Sequence, residues 1–474
     1  MNMKKLLTLI LALTMVLSLC ACGASGGEGE GEGASGLGDG LNVGYARENI
    51  TPDYSVGIGG YSDQETRRSN GFVDYIYLTC IAATEGENTI LMITFDNCAS
   101  DQHIVETMRT SVNAATGIAD TNIFIAATHC HSCPSLSDST DANAKYKTTL
   151  METAGVAAQK ALEDRSPATM LAASPKFEGM NFVRHYKLSN GTYAGSNFGD
   201  FSSGTPVEHA TETDPNAVLI KFDRADESKK DILMVNWQGH PDSARDIGYN
   251  SLAASWIGPL RTELEKLSGM DVAYFTGASG NQNISSQIDS EKHGLDWKAY
   301  GTKMGELING QLGTLQPVEG TTIKTTRVVF PAEIDHSWDD MLDQANEVYD
   351  LWKSQGKAAG DALGKTYGFT SSYQARAIKS RANMSATRDL ELNAFSIGDI
   401  GFTTGTYEMF SDAGLYVKRN SPFTFTFVIT GNSGYIPSAA AYDYRSYESD
   451  TGYYAKGTAE KLAEKYVEML NGLK

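Results

Sequence analysis

A short apolar run that ends in two histidines constrains this chain more than any other feature. Residues 122–134 read Asn-Ile-Phe-Ile-Ala-Ala-Thr-His-Cys-His-Ser-Cys-Pro. The run 123–127 is β-prone and too short for a typical helix, so a buried strand is expected there. His129 and His131 follow it, one residue apart. If the backbone stays extended, both imidazoles share one face, about 7 Å apart. Neutral imidazole is the commonest metal ligand, so a histidine pair at a strand end suits a metal site. Taken alone, the pair suits hydrogen-bonded residues at a loop mouth equally well.

The same pattern recurs three times. Run 231–237 leads into Gln238-Gly239-His240-Pro241, run 400–404 into Gly405-Thr406-Tyr407-Glu408, and run 423–430 into Gly431-Asn432-Ser433-Gly434-Tyr435. Each sets a candidate ligand just past an apolar stretch, beside glycine or proline that can turn the chain. Sites gather at strand ends in open α/β sheets. Further strands are expected at 89–95, 217–222, 271–276 and 322–330, with 217–222 and 231–237 forming a hairpin. The Phe/Thr alternation of 423–430 predicts a strand buried on one face. Apolar spacing predicts helices over 141–163, 260–267, 304–312, 338–352 and 459–470. Helices and strands interleave without a strict βαβ rhythm. The expected fold class is α/β: a layered single catalytic domain, residues 42–474, of mixed β-sheets flanked by helices.

The start of the chain reads as an address. Lys4-Lys5 precede an apolar stretch, 6–19, and then Cys20-Ala21-Cys22-Gly23. Leu19-Cys20-Ala21-Cys22 resembles a bacterial lipobox, which makes residues 1–22 a lipoprotein signal peptide and Cys22 the lipidated residue. Residues 23–41, with alternating Gly and Glu, read as an acidic low-complexity tether. The expected location is extracytoplasmic, with the chain held to the membrane through this N-terminal lipid anchor. A net charge of -19 argues against nucleic acid as a partner, which requires a basic footprint.

Four cysteines remain in the body: Cys80, Cys98, Cys130 and Cys133. Export permits disulfides, but spacing chooses no pair. Cys130-His-Ser-Cys133 is formally a C-x-x-C, yet no second such pair completes a structural zinc site. Pro134 and the polar run after it offer no helix start of the thioredoxin kind. H-E-x-x-H does not occur, and no G-x-S-x-G stands within the body, residues 42–474. A metallo-β-lactamase motif would need Asp-His after the histidine pair, where Cys133-Pro134 stand.

In order along the chain, five motifs resemble those of the neutral/alkaline non-lysosomal ceramidase family. Val43-Gly-Tyr-Ala-Arg-Glu-Asn-Ile-Thr-Pro52 is similar to its first strand and turn. Thr128-His-Cys-His-Ser-Cys-Pro134 is similar to its T-H-T-H-S-G-P signature, and Asn236-Trp-Gln-Gly-His-Pro241 to its second histidine motif. Gly405-Thr-Tyr-Glu408 stands at its P-G-E segment. Tyr435, Tyr442, Tyr447 and Glu448 keep the spacing of its Y-x6-Y-x4-Y-E motif. The resemblance implies a zinc ion (Zn2+) held by His129, His240, Glu408 and Tyr435. It implies His131 beside the ion as a proton-transfer group, with Arg184 and Tyr447 facing the substrate carbonyl. The activity implied is hydrolysis of ceramide, or a related lipid amide, to fatty acid and amine by a metal-activated water.

The departures bear on the pocket. The family's G-D-V-S-P-N-like segment reads Gly280-Asn281-Gln282-Asn283-Ile284-Ser285, so an acidic residue has become Asn281 and a serine Asn283. Cys133 and Tyr407 replace glycines and are expected to narrow the pocket. A rival reading from another class is a catalytically reduced surface lipoprotein that binds lipid or glycan. The complete set of ligand types favours the enzyme.

Overall fold

Which way alternate side chains point along the first four long strands decides how the layers stack. Ile81, Ala83, Ile90, Met92, Phe124 and Ala126 face a core shared with a second sheet. Cys80, Ala82, Leu91, Ile93, Ile123 and Ile125 face the opposite way, against helices Gln102–Thr116 and Asp141–Glu163. The computed structural model describes residues 39–61, 66–99, 101–288, 295–431 and 433–474. The expected signal peptide, Cys22 and nearly all of the expected tether lie outside those residues.

The larger sheet has nine strands. Its main order is Asp271–Thr276, Ile232–Trp237, Val218–Arg224, Ser166–Ala173, Leu41–Asn49, Tyr77–Glu85, Asn88–Phe95 and Ile123–Ala127. The two end pairs are parallel and the rest antiparallel, including the expected hairpin of Val218–Arg224 with Ile232–Trp237. Its two halves join only through Asn42↔Pro167 and Val43↔Ser166, a junction short enough to bend sharply. The far ends are consequently brought together. Thr94 Oγ1 donates to Tyr274 O at 2.9 Å, and Thr276 Oγ1 to Thr128 O at 2.7 Å. That closure sets the histidine-bearing ends of Ile123–Ala127 and Ile232–Trp237 side by side.

The second sheet runs Ile323–Glu333, Thr387–Ile397, Ile400–Gly405, Phe425–Thr430. It packs on the first through Phe124 stacked on Phe395 at 4.1 Å, and within the second sheet Phe395 stacks in turn on Phe402 at 4.3 Å. Truncating one such ring to alanine typically costs about 3–5 kcal/mol. Helices Ile257–Ser268 and Trp297–Asn309 cover the outer face of the larger sheet through Leu260, Leu264, Tyr300 and Met304. Helices Ser411–Asn420 and Thr458–Leu473 cover the outer face of the smaller one. The result is helix, sheet, sheet, helix: the layered α/β domain with mixed sheets that the sequence leads one to expect. Helices Leu342–Gln355, Lys357–Thr366 and Ser372–Arg381 enclose a separate small core of Ala345, Val348, Phe369, Ala375 and Ile378.

Two expectations need correction. Strand Phe425–Thr430 is buried on both faces, because the larger sheet covers one side and the outer helices the other. Its threonines are accommodated by hydrogen bonds, Thr426 Oγ1 to Ser421 Oγ at 2.6 Å and Thr430 Oγ1 to Gly277 O at 2.7 Å. The helix expected from residue 338 starts at Leu342, after a 3-10 turn at Asp339–Met341.

Candidate metal centre and its cleft

All four proposed ligands follow the carboxyl ends of strands, and the two sheets bring those ends together. Thr128 N still bonds Phe95 O at 2.9 Å, continuing the ladder, and Cys130 N bonds Asn97 O at 3.0 Å. Between them the chain turns: His129 has φ 63, left-handed backbone rarely taken by a side-chain-bearing residue. That conformation costs on the order of 1 kcal/mol or more. The extended geometry expected for the His-x-His pair is therefore absent. Instead of standing about 7 Å apart on one strand face, the rings meet, with their Nε2 atoms 3.2 Å apart.

The turn is propped from below. Asp96, fully buried, accepts two hydrogen bonds from buried Arg261 at 3.0 and 2.5 Å, and one from Thr128 Oγ1 at 3.2 Å. Removing one member of such a pair strands a buried charge, at about 3–5 kcal/mol. Arg67 Nη1 donates to His131 O at 2.9 Å and to Gly59 O at 2.8 Å. Gly60, at φ +98, sits against the His131 ring, where a Cβ would come within 2.9 Å of it.

His240 is placed by its own N–H on Gln282 O at 2.8 Å. Its Nδ1 lies 3.2 Å from Ser279 O, an acceptor only, so Nδ1 carries the proton and Nε2 offers a lone pair to the site. That Nε2 is 3.2 Å from His131 Nε2. Glu408 and Tyr435 are direct partners in a parallel pair of two-residue strands, Glu408–Met409 and Tyr435–Ile436. Glu408 Oε2 lies 3.3 Å from His129 Nε2 and has no hydrogen-bond partner among the described residues.

These distances test whether a metal fits. Nitrogen and oxygen ligands held at about 2.0–2.1 Å around a tetrahedral ion lie roughly 3.3–3.4 Å from one another. Buried His129 Nε2 and Glu408 Oε2 stand 3.3 Å apart, and His131 Nε2 lies 3.2 Å from the Nε2 atoms of both His129 and His240. The set fits a divalent metal ion. Ligand atoms of His129, His240 and Glu408 lie within 4.8 Å of one another, as do those of Cys98, His129 and His131. Cys98 has no counterpart in the ligand set expected from the sequence.

Around this centre stand the other groups singled out in the sequence. Burial pushes the His131 imidazole down to about 4, against a smaller upward pull from Asp242, so the ring is neutral at pH 7. Its Nδ1 lies 3.9 Å from Asp242 Oδ1, which accepts a hydrogen bond from Tyr61 OH. Arg184 donates to Glu448 Oε1 through Nε at 2.9 Å and Nη2 at 2.5 Å, and Nη2 reaches Tyr435 OH at 3.4 Å. Burial alone would raise the Glu448 carboxyl, but His185 and Arg184 outweigh it and hold it down to about 2. Burial first, and Glu448 second, push the Tyr447 phenol up to about 12, so it remains a donor.

One cleft of about 1270 Å³ exposes His131, Arg184, His240, Glu408, Tyr435 and Tyr447. His129 sits behind them, 2% exposed. The two substitutions expected to narrow this space do not touch it. Tyr407 is buried, its OH bonded to Tyr466 OH. Cys133 is fully buried, its Sγ on Ala253 O at 3.5 Å. Asn281 is structural, bonding Ser411 through N–H to Oδ1 at 2.8 Å and through Nδ2 to Oγ at 3.2 Å, whereas Asn283 reaches the cleft. No disulfide joins Cys80, Cys98, Cys130 or Cys133 among the described residues, and burial raises the Cys133 thiol, an inert setting for it rather than a redox one. Tyr61, Asp242, Tyr249, Tyr373 and Arg376 line the cleft unforeseen. Asp242 alone had a visible cue, two positions past His240.

No protein-family model matches the sequence, and no curated protein does. Solved structures do. A neutral ceramidase from Pseudomonas aeruginosa superposes with a TM-score of 0.67 at 13% identity, over 92% of this chain and 75% of that one. A ceramidase complexed with C2 gives 0.64 at 14% identity, over 91% and 75%. The fold is neutral ceramidase-like.

Proposed function

We propose that this chain is a zinc-dependent amidohydrolase of the ceramidase kind, cutting an N-acyl amide into a carboxylate and an amine. The observation that carries the reading is the meeting of buried His129, His240 and Glu408, with ligand atoms within 4.8 Å of one another and His131 Nε2 3.2 Å from both imidazoles, at a cleft shared with Arg184 and Tyr447. The likeness of fold to neutral ceramidase structures supports it. His129, His240, Glu408 and Tyr435 would hold the ion, which supplies a water acidic enough to serve as nucleophile near neutral pH.

The chain's own groups divide the remaining work. Neutral His131 accepts a proton on Nε2 and returns it to the departing amine nitrogen. Arg184, clamped by Glu448, and Tyr447, kept protonated, donate to the carbonyl oxygen as it gains negative charge. A binding-only lipoprotein would need neither converging imidazoles nor a proton carrier beside them.

The test uses the full-length chain purified without added metal. Zinc content is measured, and acid release from a panel of N-acyl amines is followed with and without chelator. One zinc per chain and chelator-sensitive release are expected. Release that survives complete metal removal overturns the reading. The lipid anchor at Cys22 is proposed alongside: Cys22→Ser should free the chain from membranes, and unchanged retention would refute it.

A further inference from the structure

Among the described residues, the cleft beyond the ligands is walled mainly by polar and aromatic groups. Among the described residues that line it, the aliphatic side chains are those of Ala99 and Leu136. A ceramide-like amide brings two long alkyl chains, and each methylene gains about 0.8 kcal/mol only where apolar walls replace water. Pockets for apolar ligands are lined mainly by aliphatic and aromatic side chains, and the aromatic ones here are tyrosines that carry a polar hydroxyl. One alanine and one leucine do not supply an aliphatic lining for two such chains.

The groups present suit a different guest. Tyr61 and Tyr249 have ring centroids 5.5 Å apart, with Arg67 stacked over both at 4.9 and 4.4 Å, which fixes their faces. Tyr61 also meets the His131 ring edge-on at 5.3 Å, so this platform begins at the reacting centre. A second group adjoins the other ligands: Tyr447 lies 6.3 Å from Tyr435 and 5.7 Å from Tyr373. Beside the first platform, Asp242, Arg245 and Asp246 line the cleft and are solvent-exposed. Beside the second, the Arg376 guanidinium lies over Tyr373 at 5.4 Å. A ring bearing many hydroxyls needs this combination. Its C–H face rests on tyrosine, and its hydroxyls pair with carboxylate and guanidinium.

We infer, building on the amidohydrolase reading, that the cleft takes a water-soluble N-acylated amino sugar rather than an amide flanked by two long hydrocarbon chains. Hydrolysis breaks the C–N bond and joins water's oxygen to the acyl carbon. The nitrogen leaves as the protonated amine of the sugar and the acyl group as a carboxylate, with no other reactant consumed.

The experiment uses the full-length chain with zinc added and two probes sharing one acyl group, N-octanoylglucosamine and N-octanoylsphingosine, in the same detergent micelles. Binding is read by tyrosine fluorescence and turnover by released octanoate. The sugar amide is expected to bind roughly tenfold more tightly. Tyr249→Ala should lower that affinity by a comparable factor while leaving the sphingosine amide's unchanged, with circular dichroism and zinc content as in the wild type. Equal or tighter binding of the sphingosine amide, or no binding of the sugar amide, overturns the inference and leaves the amidohydrolase reading to its own assay. Selective binding of the sugar amide without octanoate from either probe supports the cleft chemistry and counts against the amidohydrolase reading.

Discussion

The floor and the mouth of the cleft are built on opposite terms. At the floor, His129, His240 and Glu408 follow buried strands, and their neighbourhood is tied by main-chain bonds such as His240 N to Gln282 O at 2.8 Å and Glu408 N to Gly434 O at 3.0 Å. At the mouth, Tyr61, Asp242 and Tyr249 lie on turns, and Tyr373 and Arg376 on the Ser372–Arg381 helix, all half-buried or exposed. A floor residue cannot shift without unpairing buried backbone groups, each worth about 1–3 kcal/mol. A mouth residue can be exchanged for far less. The sheets therefore hold the reaction constant while turns and a peripheral helix choose what reaches it.

The largest expected effect comes from breaking the floor. His240→Ala removes the imidazole whose proton is fixed by Ser279 O. Zinc per chain should fall to near zero and amide hydrolysis to background. Losing even a supporting partner of a ligand typically costs 10- to roughly 100-fold in metal affinity or activity, and a direct ligand costs more. Full zinc occupancy in the variant would move the ion to the neighbouring Cys98, His129 and His131 group.

Next come the groups that act on the substrate. His131→Ala and Tyr447→Phe should keep fold and zinc, and each should lose on the order of 100-fold or more in kcat. Zinc content, melting temperature and turnover on the same preparations give the answer. Near-wild-type turnover with zinc retained would leave the mechanism without its acid and its oxyanion donor.

Glu448 joins the two regions, because it clamps Arg184 at the floor from a short helix, Tyr447–Thr451, that faces the mouth. Its folded carboxyl stands at about 2 against an ordinary 4.5. A depressed carboxyl contributes its full stability above about pH 4.5 and loses it as pH falls toward 2. That contribution is on the order of 3 kcal/mol. Glu448→Gln should be less stable at pH 7 by a similar amount, since the buried Arg184 loses its counter-charge. Its stability should also fall less steeply than the wild type's between pH 5 and pH 3. Urea midpoints across that range measure both, and an unchanged slope would remove Glu448 from the role.

Legibility in the sequence follows the same division. Runs 123–127, 231–237 and 400–404 could be read because each is apolar, short and closed by glycine, proline or histidine, and their ends carry the floor. What escaped depends on distant partners. The strands Tyr77–Glu85 and Thr387–Ile397 mix charged and small residues with the apolar ones, and only their neighbours make them strands. Left-handed backbone at His129 has no glycine to announce it. Pairing of Glu408 with Tyr435 joins two two-residue strands far apart in the chain, invisible to local periodicity. The mouth was least legible, since Tyr61, Tyr249 and Tyr373 meet only after the chain has folded. The five ceramidase-like motifs named floor residues for the same reason.

Tyr407 offers the smallest effect and the sharpest boundary between the regions. It immediately precedes Glu408, and a bulky side chain at that place reads as an obstruction of the pocket. In the structure its ring turns away into the core, and its OH meets Tyr466 OH, which also donates to Thr404 O at 2.9 Å. Tyr407→Phe therefore leaves Tyr466 OH with a carbonyl acceptor, and the loss should be that of one hydrogen bond, about 1 kcal/mol. In a chain this long that is a melting shift of about 1–2 °C. KM and kcat should both stay at wild-type values. If instead KM for either amide probe changes several-fold at unchanged stability, Tyr407 belongs to the substrate wall, and the boundary between floor and core lies beyond it, one residue further from Glu408.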